Sequence, residues 1–127
     1  MTMKGMKVVP MIHVCNVQTT VDWYKEIGFT ITNYFCEDDE MNWALLSLGD
    51  SEVMFNAGGK PSSNERREVD LYIHVDDIDD LYRRLKDRSE VVEGIHDTFY
   101  GMREFIIRDP NRFWVTFGQV ASSSTKS

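Results

Sequence analysis

An internal repeat limits the folds open to this chain more than any other feature of its sequence. Residues 12–17 (IHVCNV) recur as residues 73–78 (IHVDDI). In both copies an alternating, strand-like pattern leads into a polar helix cap and then into a helical pattern. The repeat therefore predicts two matched supersecondary units in tandem.

The first copy predicts a βαβββ module. The segment Val8–Val14 is rich in β-branched residues and alternates with a period of two, as a strand does. Asn16, Thr19 or Thr20 can cap a following helix, whose apolar residues recur at helical spacing from Val17 to Ile27. Three more strands are predicted at Thr30–Phe35, Trp43–Leu48 and Glu52–Asn56.

The second copy repeats this order. Its first strand is Val69–Val75, Asp76 or Asp77 caps the helix, and the remaining strands are predicted at Val91–Glu93, Phe99–Arg108 and Phe113–Phe117. Residues 57–68 are rich in Gly, Pro, Ser and charge, which is typical of a linker. We therefore expect a single domain over residues 1–127, with module A at about 7–56, the linker at 57–68, module B at about 69–119 and a disordered tail at 120–127.

Composition excludes several classes of partner. The net charge of −7 and the pI of about 4.9 argue against nucleic acid and anionic membrane surfaces, which require clustered basic residues. No apolar run approaches the roughly 20 residues of a membrane span. The start of the chain lacks a signal-peptide core, and the two cysteines fit a reducing compartment, so we expect a cytoplasmic protein.

Several motifs in this order resemble the vicinal oxygen chelate superfamily, and most closely its glyoxalase, bleomycin-resistance and dioxygenase group. The motifs are the strand that reaches VxN or VxD, the helix with WY followed by IGF at 27–29, and the late segment GMREFIIRDPN at 101–111. The resemblance spans about residues 7–119. It implies an α+β fold of two βαβββ modules that form an open curved sheet or barrel, with helices outside, a ligand cleft on the concave side, and a homodimer.

One residue departs from the family pattern. The family's DPNG or DPDG turn is 109–112 (DPNR) here, so that Arg112 replaces glycine. A left-handed conformation at Arg112 costs on the order of 1 kcal/mol, and Asn111 offers an alternative left-handed residue.

Strand alternation predicts which residues face the cleft. Leu71 and Ile73 form an apolar row suited to lie beneath a helix, whereas Tyr72 and His74 point the other way. The ligand-binding residues predicted in this way are His13, Trp43, Met54, Asp70, Tyr72, His74, Trp114 and Thr116. Tyr100 is a further candidate, and core packing is the alternative role for each aromatic side chain.

The resemblance also allows the metal ligands of the family to be matched by position. They fall on Val9, Met54, Asp70 and Thr116, of which only Asp70 is a good ligand for a hard cation. We therefore predict no metal and no other cofactor. The alternative is a relocated site with His13 and His74, helped by Glu52 or Glu104, but each histidine lies four residues along its strand from the usual position, roughly 13 Å away.

The favoured function is that of a metal-free protein that binds a small organic ligand, as in the bleomycin-resistance proteins, which sequester a basic, planar antibiotic. Aromatic and thioether side chains suit an apolar or conjugated ligand, and Asp70 with Glu52 favours a cation. The alternative is a lyase, isomerase or dioxygenase with a metal on His13 and His74, and a third option is a module with a vestigial cleft. No catalytic residue is assigned: Cys15 has no apparent triad partner, and Glu104 is either a base or the structural partner of Arg103.

Overall fold

The computed structural model describes Gly5, residues 7–60 and residues 69–121. The chain divides into two compact units, residues 1–61 and 62–127. Module A contains β1 (Met11–His13), α1 (Val17–Glu26), β2 (Thr30–Glu37), β3 (Glu40–Leu48) and β4 (Ser51–Asn56). Module B contains β5 (Asp70–His74), α2 (Ile78–Leu85), β6 (Glu90–Asp97), β7 (Met102–Arg108) and β8 (Trp114–Val120).

The two sheets have the same topology. Their strand orders are β1-β4-β3-β2 and β5-β8-β7-β6, and in each the first strand is parallel to the last. Met11 pairs with Met54 in module A, and Asp70 pairs with Trp114 in module B. The predicted fold of two tandem βαβββ modules is therefore confirmed. Within the described residues, no helix has both the length and the apolar character needed to cross a membrane.

The helices begin where the sequence places their caps. Asn16 Oδ1 accepts a hydrogen bond from the Thr19 amide at 2.8 Å, and Asp77 Oδ1 accepts one from the Asp80 amide at 3.4 Å. These side chains satisfy amide groups that have no partner inside the helix. The Ile78 amide donates instead to Gln119 Oε1 at 2.7 Å, which ties the start of α2 to β8.

Each helix covers one face of its own sheet. Tyr24 on α1 lies 4.9 Å from Phe55 between ring centroids, and in module B the rings of Phe105 and Phe117 stack at 4.9 Å. Tyr82 on α2 meets Phe105 edge to face at 5.0 Å. The fully buried apolar side chains thus line the helix side of each sheet, and they include Val17, Val21, Tyr24, Leu46 and Phe55 in module A and Ile78, Phe105, Ile107, Val115 and Phe117 in module B.

Several predicted strand limits were wrong. The strand predicted at Val8–Val14 is shorter, because Pro10 has no amide to give to the ladder and only its carbonyl accepts, from the Met54 amide at 2.8 Å. The strands β2 and β3 run further than predicted, up to a two-residue turn at Asp38 and Asp39. Both residues have positive φ, 53° and 64°, as a tight hairpin turn requires.

The hairpin between β6 and β7 also differs from the prediction. Phe99 and Tyr100 lie in its turn and not in a strand, because Gly101 has a φ of 88° and the Thr98 amide donates to the Met102 carbonyl at 2.7 Å. The strand predicted at Val91–Glu93 consequently extends from Glu90 to Asp97.

In the 109–112 turn, Arg112 itself is left-handed, with a φ of 70°, so the alternative at Asn111 was wrong. Asp109 is buried and holds the turn closed, since its Oδ1 accepts from the Asn111 amide at 2.8 Å and the Phe113 amide at 2.9 Å.

The last predicted segment, 120–127, is ordered where it begins. Val120 belongs to β8, and the buried Ala121 donates its amide to the Gly101 carbonyl at 2.9 Å. The remainder of that segment, 122–127, and residues 61–68 of the predicted linker lie outside the described residues.

Candidate functional site

Each sheet has a second face, turned away from the helix of its module, and this helix-free face carries the candidate site residues. Strand registers place side chains on it in rows. In module A, one row is His13, Asn56 and Trp43, and the next is Met11, Met54 and Leu45. In module B the rows are His74, Gly118 and Glu104; Tyr72, Thr116 and Ile106; and Asp70, Trp114 and Arg108.

A hydrogen-bonded cluster of Tyr72, Tyr100 and Glu104, the tyrosine–glutamate cluster, lies on the helix-free face of module B. The Tyr72 hydroxyl donates to Glu104 Oε2 at 2.7 Å, and the Tyr100 hydroxyl donates to the same oxygen at 2.8 Å. Glu104 is only 5% exposed, whereas Tyr72 is 44% and Tyr100 56% exposed. The two rings therefore lie at the surface, and the carboxylate lies beneath them.

Gly118 makes this arrangement possible. It lies on β8 between His74 and Glu104 in the sheet. A Cβ atom at position 118 would stand 2.0 Å from the Tyr72 Oη and 2.5 Å from its Cζ. The Tyr72 ring thus crosses β8 through the space that a side chain at 118 would fill, and so reaches Glu104 on β7.

The cluster keeps both tyrosines protonated. Burial is the main cause that raises the pKa of the Tyr72 hydroxyl far above its usual value, and the hydrogen bond to Glu104 and its charge raise it further. For Tyr100 the hydrogen bond to Glu104 is the main cause of the raised pKa. Both hydroxyls consequently act as donors to the carboxylate at ordinary pH.

Glu104 is not the partner of Arg103, so that alternative was wrong. Arg103 lies on the opposite face of β7 and binds Asp97 at 2.8 Å and Asp79 at 3.0 Å. The hydrogen bond from Arg103 is the main cause that lowers the pKa of Asp97. Among the described residues, no lysine, arginine or histidine forms an ion pair with Glu104.

The histidines make local contacts. His13 Nδ1 lies 3.1 Å from the Ala57 carbonyl, which accepts a hydrogen bond from it. The ring of His74 lies beside that of Tyr72, with 5.0 Å between centroids. His96 Nδ1 lies 2.8 Å from the Gly94 carbonyl.

Comparison with known proteins identifies the family. Residues 8–117 match the model of the Glyoxalase/Bleomycin resistance protein/Dioxygenase superfamily. The chain belongs to this superfamily. No curated protein is similar enough in sequence to match it.

Several solved structures are similar in fold over most of the chain. TioX from Micromonospora sp. ML1 is 20% identical, with a TM-score of 0.75 over 91% of this chain and 99% of its own. A protein of unknown function from Agrobacterium tumefaciens str. C58 is 22% identical, with a TM-score of 0.73 over 92% and 96%. A bleomycin-binding protein complexed with bleomycin is 20% identical, with a TM-score of 0.63 over 91% and 98%.

The metal ligands of this superfamily do not fit the residues of this member. Val9 precedes β1, Met54 pairs with Met11, and Thr116 pairs with Tyr72, so three of the four matched positions offer a hydrocarbon, a thioether and a hydroxyl in place of strong donors. Asp70 is the one matched residue with a carboxylate. Nowhere in the described parts of the chain do three or more His, Cys, Asp or Glu side chains group to hold a metal ion, including around His13 and His74.

Module A of this superfamily member also contains a cavity of about 360 Å³. Its lining includes Cys15, Asn16 and the acidic residues 37–40. Cys15 is exposed and has a free thiol. None of the predicted ligand-binding residues lines this cavity.

All eight predicted ligand-binding residues lie on the helix-free faces of their modules. Alternation was sufficient to place them, because each strand carries its apolar row towards the helix. The bond between Tyr72 and Glu104 was not predicted, since it crosses β8 diagonally and depends on the missing side chain at Gly118. The sequence contained a signal for Tyr100 alone. Gly101 favours a turn directly after Tyr100, and Glu104 follows Tyr100 by four residues.

Proposed function

We propose that this protein binds a small organic ligand, aromatic and positively charged, on its helix-free faces without a metal ion. The observation that carries the proposal is the partial exposure of aromatic and thioether side chains there. Met11 is 54% exposed beside Met54, and Tyr72 is 44% exposed beside Thr116. Such side chains form favourable contacts with flat, polarisable ligands.

The charge of the chain supports a cationic ligand. The net charge of −7 attracts cations over long range, and Asp70 and Glu104 add carboxylates on the helix-free face of module B. Glu52, on the corresponding face of module A, is paired with Lys7. The fold is shared with a bleomycin-binding protein that was solved with bleomycin. Bleomycin and phleomycin-type compounds are therefore the first ligands to test.

The test is a titration of metal-free bleomycin, followed by isothermal calorimetry and by tryptophan fluorescence, to which Trp43 and Trp114 contribute from the helix-free faces. We expect saturable binding with a Kd below about 100 µM. Tyr72→Ala should weaken binding, since Tyr72 lies on the helix-free face of module B. Tyr34→Ala is the matched control: Tyr34 is 56% exposed, but it pairs with the core residue Ala44 and so lies on the helix side of the module A sheet.

If bleomycin does not saturate the protein at high micromolar concentration, antibiotic sequestration is wrong. If no planar aromatic cation binds either, the proposed function as a whole is wrong. A cytoplasmic location, a homodimer and a ligand cleft on the concave side, all expected from the sequence, belong to the same proposal. Sedimentation analysis with and without ligand tests the homodimer.

A further inference from the structure

The carboxylate of Glu104 is only partly used by its own chain. Both tyrosine hydroxyls donate to Oε2, whereas Oε1 receives no hydrogen bond from any described residue. A carboxylate accepts through both oxygens, with about four lone-pair positions in total. Glu104 Oε1 can therefore accept further hydrogen bonds, although Glu104 is only 5% exposed.

The charge of Glu104 also lacks a counterpart within the described residues. The two arginines of the same strand are engaged elsewhere, Arg103 by Asp97 and Asp79, and Arg108 by Glu90. His96, opposite Glu104 in the sheet, lies 3.7 Å from Glu93. A buried carboxylate is costly unless it is paired with a cation and fully hydrogen-bonded, and two neutral hydroxyls meet only part of that need.

We propose that Glu104 is the anionic anchor for the ligand, and that its Oε1 accepts a hydrogen bond from a cationic N–H group. The class of ligand is an amidinium, a guanidinium or a protonated primary or secondary amine attached to an aromatic body. This inference rests on the proposed function and specifies the group that is recognised. Tyr72 and Tyr100 position the carboxylate by holding its other oxygen.

The exposed rings of the two tyrosines define what surrounds the anchor. They cover the carboxylate, and their faces can stack on a planar cation or attract it through the ring electrons. A quaternary ammonium keeps this attraction but has no N–H to donate. The hydrogen bond to Oε1 should therefore make a cation with an N–H group bind more tightly than a quaternary ammonium.

Three probes of similar size test the anchor on the wild-type protein: 2-naphthamidine, trimethyl-2-naphthylammonium and the neutral 2-acetonaphthone. Binding is measured by calorimetry at fixed ionic strength. We expect the amidine to bind about tenfold or more tighter than the quaternary cation, since a hydrogen bond between charged groups is among the strongest in proteins. The neutral ketone should bind weakest.

Glu104→Gln is the decisive variant, because its amide oxygen still accepts from both tyrosines while the charge is lost. It should weaken the amidine about tenfold and leave the ketone unchanged. Glu93→Gln is the matched control: it removes one carboxylate of the same sheet that neither tyrosine binds, and it should change the amidine Kd by less than about twofold.

Three outcomes overturn the anchor alone: an amidine that binds no tighter than the quaternary cation, a ketone that binds as tightly as the amidine, or equal losses in the two variants. If Glu104→Gln does not fold, the order of the three probes on the wild-type protein decides. If none of the three probes binds, the proposed function fails together with the anchor.

Discussion

The two modules share one strand register and differ in the chemistry that it carries. The row His13, Asn56 and Trp43 in module A corresponds to His74, Gly118 and Glu104 in module B, and Met11 with Met54 corresponds to Tyr72 with Thr116. Module A thus presents the indole of Trp43 and the thioether of Met11 where module B presents the carboxylate of Glu104 and the phenol of Tyr72. On the helix side, by contrast, both modules bury large apolar residues.

This difference indicates that folding constrains the helix side of each module more than its helix-free face. Side chains under the helix must fill a closed volume, so both copies keep aromatic and branched residues there. Side chains on the helix-free face have no such partner within their own module, so one copy can become apolar and the other acidic without a change in topology. We expect the effects below to separate the two faces, from the largest change to the smallest.

The largest effect should come from the helix side of either module. Phe55 and Phe117 occupy equivalent positions on β4 and β8, and both are fully buried. Phe55→Ala and Phe117→Ala should each lower the free energy of unfolding by about 3–5 kcal/mol. Urea denaturation measures this, and a much smaller loss in one module would show that the two cores are not equivalent.

The next effect should be confined to module B. Gly118→Ala places a Cβ atom where the Tyr72 ring lies, so Tyr72 must move off Glu104, and we expect a loss of about 1–3 kcal/mol. The corresponding change in module A, Asn56→Ala, should alter stability by only about 0.5 kcal/mol. Equal losses at the two positions would contradict the role of Gly118.

A smaller effect concerns the tyrosines at alkaline pH. The folded pKa values of Tyr72 and Tyr100 are raised, so their contribution to stability is fully present below the unfolded pKa near 10 and is lost as the pH rises through the folded values. Glu104→Gln should lower both pKa values, because it removes a charge that disfavours the phenolate. Ultraviolet titration of tyrosinate measures this, and an unchanged curve would show that Glu104 does not act on them.

Metal ions should have the smallest effect, since we expect neither module to bind one. After incubation with zinc, nickel, manganese or iron(II) and desalting, mass spectrometry should find no stoichiometric metal, and a chelator should leave the Tm unchanged. A stoichiometric metal would contradict the assignment of the ligand positions. Its loss in a variant with His13→Ala and His74→Ala would then favour the relocated site.

The fold and the sides of the strands could be read from the sequence because they depend on local patterns. A period of two in Leu71–His74 and the caps at Asn16 and Asp77 express backbone geometry that neighbouring residues determine. Element ends were less predictable, as at Asp38 and Asp39, where an unusual backbone conformation makes the turn without glycine.

The tyrosine–glutamate cluster could not be predicted because its parts come from distant segments. Tyr72 and Glu104 meet only when β7 and β8 pair in one register and Gly118 leaves a gap between them. Alternation placed Glu104 on the correct face but did not tell whether Arg103 or a tyrosine would bind it.

The pairing of the first strand of each module with its last has a consequence for the order of events during synthesis. The hairpins β2–β3 and β3–β4 close over short loops, whereas β1 must wait for residues 54–56 and β5 for residues 114–118 before either finds its partner. Each helix therefore emerges from the ribosome before the sheet that will cover its apolar side is complete. We expect the docking of β1 and of β5 to be the late steps of folding, and the nascent chain to be most prone to aggregation in those two intervals.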